Sequence, residues 1–153
     1  MMEGVVNLRR EATLTVVIGN SKRQLQAIDA VIDTGFNGFL SLPPTIITML
    51  NLPWSGSDFV TLGYGSETYF DLYTGTVIWD GQYQEIDIAE SETEPLLGTG
   101  LLYWYRLRVD SIKGGKVGLK PCELTIPRSR TWHGKPVGTS PARRAHSRVG
   151  LFT

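Results

Sequence analysis

The sequence predicts a β-rich domain made of many short strands and turns. The chain has 153 residues, of which 41% are hydrophobic and 20% charged, as in an ordinary globular domain. Its 17 glycines and 8 prolines are on the high side, and they punctuate segments rich in Val, Ile, Thr and Tyr. Several of those segments alternate apolar and polar residues, which is the period of a half-buried strand.

The first two strands are predicted as a hairpin. Glu11–Ile18, "EATLTVVI", alternates and is rich in β-branched residues, so it predicts a strand. Gly19 and Asn20 predict a turn, and Arg23–Ile32, "RQLQAIDAVI", predicts the returning strand. This hairpin delivers Asp33 to the loop that follows.

The remaining elements continue this pattern with little helix. Pro43–Leu50, "PPTIITML", predicts a short helix with prolines in its first turn, and Asp80-Gly81 is a strong tight-turn signal. The predicted strands are Phe59–Leu62, Tyr69–Trp79, Gln82–Ala89, Arg106–Asp110 and Lys116–Leu119. The predicted turns and loops are Gly63–Ser66, Ser91–Glu94 and Gly114-Gly115. The apolar segment Leu96–Leu102, "LLGTGLL", leads into three consecutive aromatic residues.

Charge divides the chain into two parts. Residues 1–123 hold all 15 acidic residues and nine basic ones, a net charge of about −6. Residues 124–153 hold six basic residues and no acidic one, about +6. We therefore predict a folded domain at 1–120 and a basic C-terminal tail at 121–153, expected to be disordered because it lacks periodicity.

The cellular context follows from what the sequence lacks. Cys122 is the one cysteine, so an internal disulfide framework is excluded and a reducing compartment is favoured. No run of about 18 apolar residues predicts a membrane span, and the start does not resemble a signal peptide. We expect a cytoplasmic protein with no membrane partner.

One motif stands out as a candidate for chemistry. Asp33-Thr34-Gly35 follows Val31 and Ile32, and a second apolar-apolar-glycine stretch, Leu96–Gly98, comes about sixty residues later. Taken alone, the triad is also a common turn in which the acid caps the bend. The segments "VIDTGFNGFLSLP" and "PLLGTGLLYWYRLRVD" together resemble the retropepsin-like aspartic proteases, especially their small prokaryotic members, over residues 11–119.

The resemblance implies a closed all-β barrel with a flap hairpin and one or two short helices, one after Leu97 and the other the helix predicted at Pro43–Leu50. It implies that Asp33 is the catalytic acid. The residues implied to support the catalytic loop are Thr34, Gly35 and Gly98, and those implied to contact substrate are Gly65 and Ser66 in the flap with Phe36 and Leu97. Phe36 departs from the family, in which Ala or Ser more often follows the triad.

A single triad implies a homodimer, because such a site needs two carboxylates. A twofold axis would bring both Asp33 side chains together, and two carboxylates about 3 Å apart share one proton. The ionised member would activate a water, and the protonated member would protonate the carbonyl oxygen and the leaving nitrogen. The implied activity is that of an aspartic endopeptidase acting on peptides or proteins, with no cofactor.

Other interpretations of the sequence remain. The same fold could serve as a catalytically inactive dimerisation or peptide-binding module. The basic tail could bind nucleic acid, although its thin aromatic content disfavours a stacking platform. A metal site is not expected, since His133 and His146 both lie in the tail and no Cys or His pair has metal spacing.

Overall fold

Ten strands and two short helices make up the part of the chain that the computed structural model describes, residues 1–61 and 63–124. The strands are β1 Met2–Val6, β2 Ala12–Gly19, β3 Leu25–Ile32, β4 Leu40–Leu42, β5 Trp54–Thr61, β6 Glu67–Trp79, β7 Gln82–Glu90, β8 Leu96–Leu97, β9 Tyr105–Val109 and β10 Lys116–Pro121. The helices are α1 Pro44–Met49 and α2 Thr99–Leu102.

Six of the strands close into a barrel. They pair in the order β2-β3-β8-β4-β7-β6, and β6 pairs back onto β2 with Ile18 opposite Val77. The strands β1, β10 and β9 continue the sheet beyond β2, and β5 extends it beyond β6 as one arm of a hairpin. The all-β closed barrel with two short helices, predicted from the sequence, is thus confirmed.

The core fills the barrel with the inward side chains of alternating residues. On β2, Leu14, Val16 and Ile18 are at most 3% exposed, whereas Thr15 between them is exposed. The same cluster takes apolar side chains from the other barrel strands and from both helices. This burial is the main favourable term that holds the barrel closed.

The local turn signals predicted the hairpins well. The β2–β3 pair runs in continuous register from Thr13 opposite Val31 to Gly19 opposite Leu25. Between β6 and β7, Asp80 (φ 50°) and Gly81 (φ 78°) both lie in the left-handed region that a two-residue type I′ turn requires. α2 begins two residues after Leu97, as predicted.

The prediction did not include the strands β1, β4 and β8, and it began β5 too late. β1, whose sequence "MEGVV" has little apolar alternation, was not predicted, and it forms by pairing with β10 and β2. β5 begins at Trp54 rather than at Phe59. It is an edge strand paired with β6 alone, so its polar first half follows its neighbour rather than its own propensity.

The predicted tail lies almost wholly outside the described residues. β10 ends at Pro121, next to the boundary predicted after residue 120, and the description stops at Leu124. The boundary and the disorder of 121–153 therefore stay predictions. Among the described residues, neither helix is long and apolar enough to cross a membrane.

Candidate active site

Asp33 lies at the end of β3, in the loop that leads to β4. Its side chain is half-buried, and the neighbouring Thr34 and Gly35 are exposed. The Gly35 N–H donates to Asp33 Oδ1 at 2.9 Å, and the Phe36 N–H donates to the Asp33 carbonyl at 3.2 Å. A tight turn thus holds the carboxylate in one orientation at an open surface of the barrel.

A second segment crosses behind this loop. β8 lies between β3, to which it is parallel, and β4, to which it is antiparallel. The Asp33 N–H donates to the Leu97 carbonyl at 2.9 Å, and the Gly98 N–H donates to the Phe39 carbonyl at 3.0 Å. The Thr99 N–H donates to the Phe36 carbonyl at 2.8 Å. The crossing segment therefore fixes both arms of the loop by backbone hydrogen bonds.

Phe36 fills the space between the loop and the crossing segment. A Cβ built on Gly38 would lie 2.6 Å from Phe36 Cζ, and one built on Gly98 would lie 2.6 Å from Phe36 Cδ1. The ring is consequently only 1% exposed, and it packs with Ala89. The bulk of this side chain is accommodated because both of its neighbours are glycines.

This packing changes the expected role of two predicted residues. Phe36 and Leu97 were expected to face substrate, but Phe36 is 1% and Leu97 0% exposed. Phe36 is buried beneath the Asp33 loop and Leu97 is buried in the barrel core, so neither side chain is exposed to a peptide. We propose instead that both residues support the Asp33 loop, together with Gly98.

The predicted flap is the hairpin of β5 and β6. Its described turn residues include Gly65, whose φ of 86° favours glycine, and the exposed Ser66. Phe59 and Tyr69 lie directly opposite each other, with ring centroids 5.9 Å apart, and both are exposed. Within the described chain, no hydrogen bond joins Gly65 or Ser66 to the Asp33 loop. The hairpin is thus an arm with exposed aromatic side chains.

Ser41 braces the crossing segment, a role that the sequence did not predict. It is 3% exposed, and its Oγ accepts the Leu96 N–H at 3.2 Å. The residue follows Leu40, which pairs with Leu97 across β4 and β8. The only indication of this role in the sequence was a serine between two apolar residues in "LSL". Its hydrogen-bond partner Leu96 lies 55 residues away.

Replacing Ser41 with alanine is expected to lower the free energy of unfolding by about 1–3 kcal/mol, because the partly buried Leu96 N–H loses its acceptor. Chemical denaturation measures this change. Ser55→Ala on the exposed part of β5 is the matched control and should change stability by less than about 0.5 kcal/mol. Equal stabilities of the two variants would contradict the bracing role.

The described residues include no group of three or more His, Cys, Asp or Glu side chains that could hold a metal ion. The two histidines considered in the sequence, His133 and His146, lie outside the described residues. What the described part of the site offers is one carboxylate, a turn that orients it and a brace behind it. Such a group can accept or donate a proton.

No family model matches this chain, and no curated protein is significantly similar to it in sequence. Among solved structures, the chain is similar to the EIAV protease complexed with the inhibitor HBY-793, at 16% identity and a TM-score of 0.49. The similarity covers 63% of this chain and 88% of that protease.

Proposed function

We propose that this protein is a homodimeric aspartic endopeptidase, with one Asp33 from each subunit at its active site. The observation that carries the proposal is the braced loop: a half-buried carboxylate, held by the Gly35 N–H and by a crossing segment, lies beside exposed Thr34 and Gly35. An acid that only caps a turn needs the hydrogen bond from the Gly35 N–H but not the crossing segment. The crossing segment also fixes the position of the loop. A catalytic site requires such fixed geometry.

The proposed chemistry needs two copies of Asp33 about 3 Å apart, where they hold one proton between them. The ionised carboxylate takes a proton from a bound water, whose oxygen attacks the peptide carbonyl carbon. The protonated carboxylate donates its proton to the carbonyl oxygen, which gives a tetrahedral diol. The carboxyl that took the proton from water then donates it to the leaving nitrogen, and the other carboxylate takes a proton back from one hydroxyl of the diol. The C–N bond breaks, and the pair again holds one proton. Thr34, beside the axis, would join the two loops.

The proposed substrate is an extended peptide held between the Asp33 loops and the β5–β6 hairpins. Exposed Phe59 and Tyr69 support this proposal, because a peptide would remove that apolar surface from water. Gly65 and Ser66 would lie at the closing tip. Closure would exclude water from the reacting groups.

Dimerisation and peptide hydrolysis are expected to disappear together on dilution. Each site needs two chains of 17.0 kDa, so hydrolysis per chain should fall as the dimer dissociates. Analytical ultracentrifugation gives the dimer fraction, and cleavage of a quenched-fluorescence peptide library gives the rate over the same concentrations.

Constant hydrolysis per chain while the dimer dissociates would contradict a shared site. A stable dimer that cleaves no peptide, and binds no pepstatin-type transition-state mimic, would instead favour the inactive dimerisation or peptide-binding module.

A further inference from the structure

A cavity of about 530 Å³ lies where β7 and α2 meet the segment 103–105. Asp33, Thr34 and Gly35 do not line it. Its acidic lining residues are Glu85 and Asp87, and its aromatic lining residues are Phe39, Trp79, Tyr103, Trp104 and Tyr105. The proposed peptidase chemistry uses none of these side chains.

Four of the five aromatic residues that line the cavity form two ring pairs. Trp79 and Tyr105 meet edge to face with centroids 5.7 Å apart, and Tyr103 and Trp104 do so at 4.8 Å. Trp104 has a φ of 75° and is 51% exposed. Bulky residues rarely adopt this left-handed conformation, and such strain is concentrated at binding and catalytic sites. The backbone thus holds a large aromatic side chain at the solvent side of the cavity.

The charge of the lining selects the kind of ligand. Glu85 and Asp87 are acidic, and no Lys or Arg is among the described residues that line the cavity. Carboxylates beside tryptophan and tyrosine rings attract a cation, most favourably a guanidinium, which can stack on a ring. Trp79 adds a second requirement, because its Nε1 is buried and has no hydrogen-bond partner among the described residues. A peptide carries the carbonyl acceptor that this N–H lacks.

The chain itself supplies a basic peptide next to this cavity. The Cys122 N–H donates to the Trp104 carbonyl at 2.7 Å, so the described chain passes beside the cavity at Cys122. Arg128 and Arg130 follow within eight residues of Cys122, and an extended chain spans up to about 3.3–3.6 Å per residue. Both arginines can therefore reach the lining.

We propose that the cavity between Trp79, Trp104, Glu85 and Asp87 binds the arginine side chains of the chain's own segment Arg128–Arg130. The opposite charges of the two parts of the chain, −6 and +6, favour this contact. Tethering makes the local concentration of the segment roughly millimolar, so modest intrinsic affinity is enough. Because the attraction is between charges near the surface, added salt weakens it.

Limited trypsin digestion of the full chain tests the proposal. Mass spectrometry measures the rate of cleavage after each arginine. Cleavage after Arg128 and Arg130 should be slow relative to cleavage after Arg143 and Arg144, which serve as an internal reference. The double variant Glu85→Gln/Asp87→Asn should raise the relative rate roughly tenfold, and 0.5 M salt should do the same to the wild type. The charge-matched control Glu67→Gln/Glu92→Gln should leave the rate unchanged.

Equal relative rates in the wild type and in Glu85→Gln/Asp87→Asn would overturn the proposal. Protection that disappears on dilution would also overturn it, since the segment would then come from another chain.

A second variant leaves every lining residue intact and so remains informative if the first one unfolds. In Arg128→Gln/Arg130→Gln, amide hydrogen exchange in the peptide containing Trp104 should become several-fold faster. Unchanged exchange would count against the contact.

Discussion

Replacing Asp33 with asparagine is expected to reduce peptide hydrolysis by about 10²–10⁴-fold, because the variant has no carboxylate to accept or donate the proton. Asparagine has nearly the same shape, and its Oδ1 can still accept the Gly35 N–H that Asp33 accepts at 2.9 Å. The loop and the dimer should therefore persist. Initial rates on a cleaved peptide, with thermal unfolding and sedimentation on the same samples, separate lost chemistry from lost structure.

Asp29→Asn is the matched control for this substitution. Asp29 lies on the same strand, four residues before Asp33, and its Oδ1 accepts the Thr15 hydroxyl at 2.5 Å. Its side chain belongs to an exposed part of β3, so the variant should retain hydrolysis within about twofold. If both variants lost activity equally, or if only stability changed in Asp33→Asn, Asp33 would be a structural acid.

Mixing Asp33→Asn with the wild type tests whether the two carboxylates share one site. An exchanged equal mixture contains roughly one quarter wild-type homodimer, and the heterodimer has a single carboxylate. Activity should therefore fall to about a quarter of the unmixed wild type at the same total concentration. A fall to only one half would mean that each subunit works alone, and a monomeric mechanism would replace the shared one.

The parts of the fold that the sequence predicted are those that local signals determine. Asp80-Gly81 requires left-handed backbone at two successive residues, which few dipeptides adopt as readily. The alternation of Leu14, Val16 and Ile18 likewise specifies which face of β2 is buried. These signals act within a few residues, so they do not depend on the structure of the rest of the chain.

The parts that the sequence missed depend on distant partners. β1 pairs Met2 with Leu119, and no feature of "MEGVV" specifies that contact. Phe36 was expected at the substrate because it follows the triad, yet its position is decided by the missing side chain of Gly98, sixty-two residues later. A large side chain at one residue and a glycine at another that makes room for it can be matched only when the fold shows that the two segments are in contact. The roles of Asp33 and the flap remain predictions, because they depend on a second chain.

Gly98→Ala is expected to be the most destabilising single-methyl addition near the site. Gly98 has φ −97° and ψ 178°, which any residue can adopt, so space rather than conformation requires glycine here. An added Cβ would overlap the Gly38 carbonyl oxygen and would lie 2.6 Å from both the Phe36 carbonyl oxygen and Phe36 Cδ1. Two of the three atoms belong to the backbone of the Asp33 loop, and side-chain rotation cannot move them away.

The free energy of unfolding is expected to fall by about 3 kcal/mol or more, which is at the upper end for overpacking. This is a large share of the roughly 5–15 kcal/mol by which a folded domain is stable. Urea denaturation measures it, with Gly63→Ala as the control, since a Cβ there meets nothing within 4 Å. A change below about 1 kcal/mol would mean that the crossing segment can move away from the loop. The brace would then be too loose to hold two Asp33 carboxylates in register, so this measurement of stability also constrains the proposed chemistry.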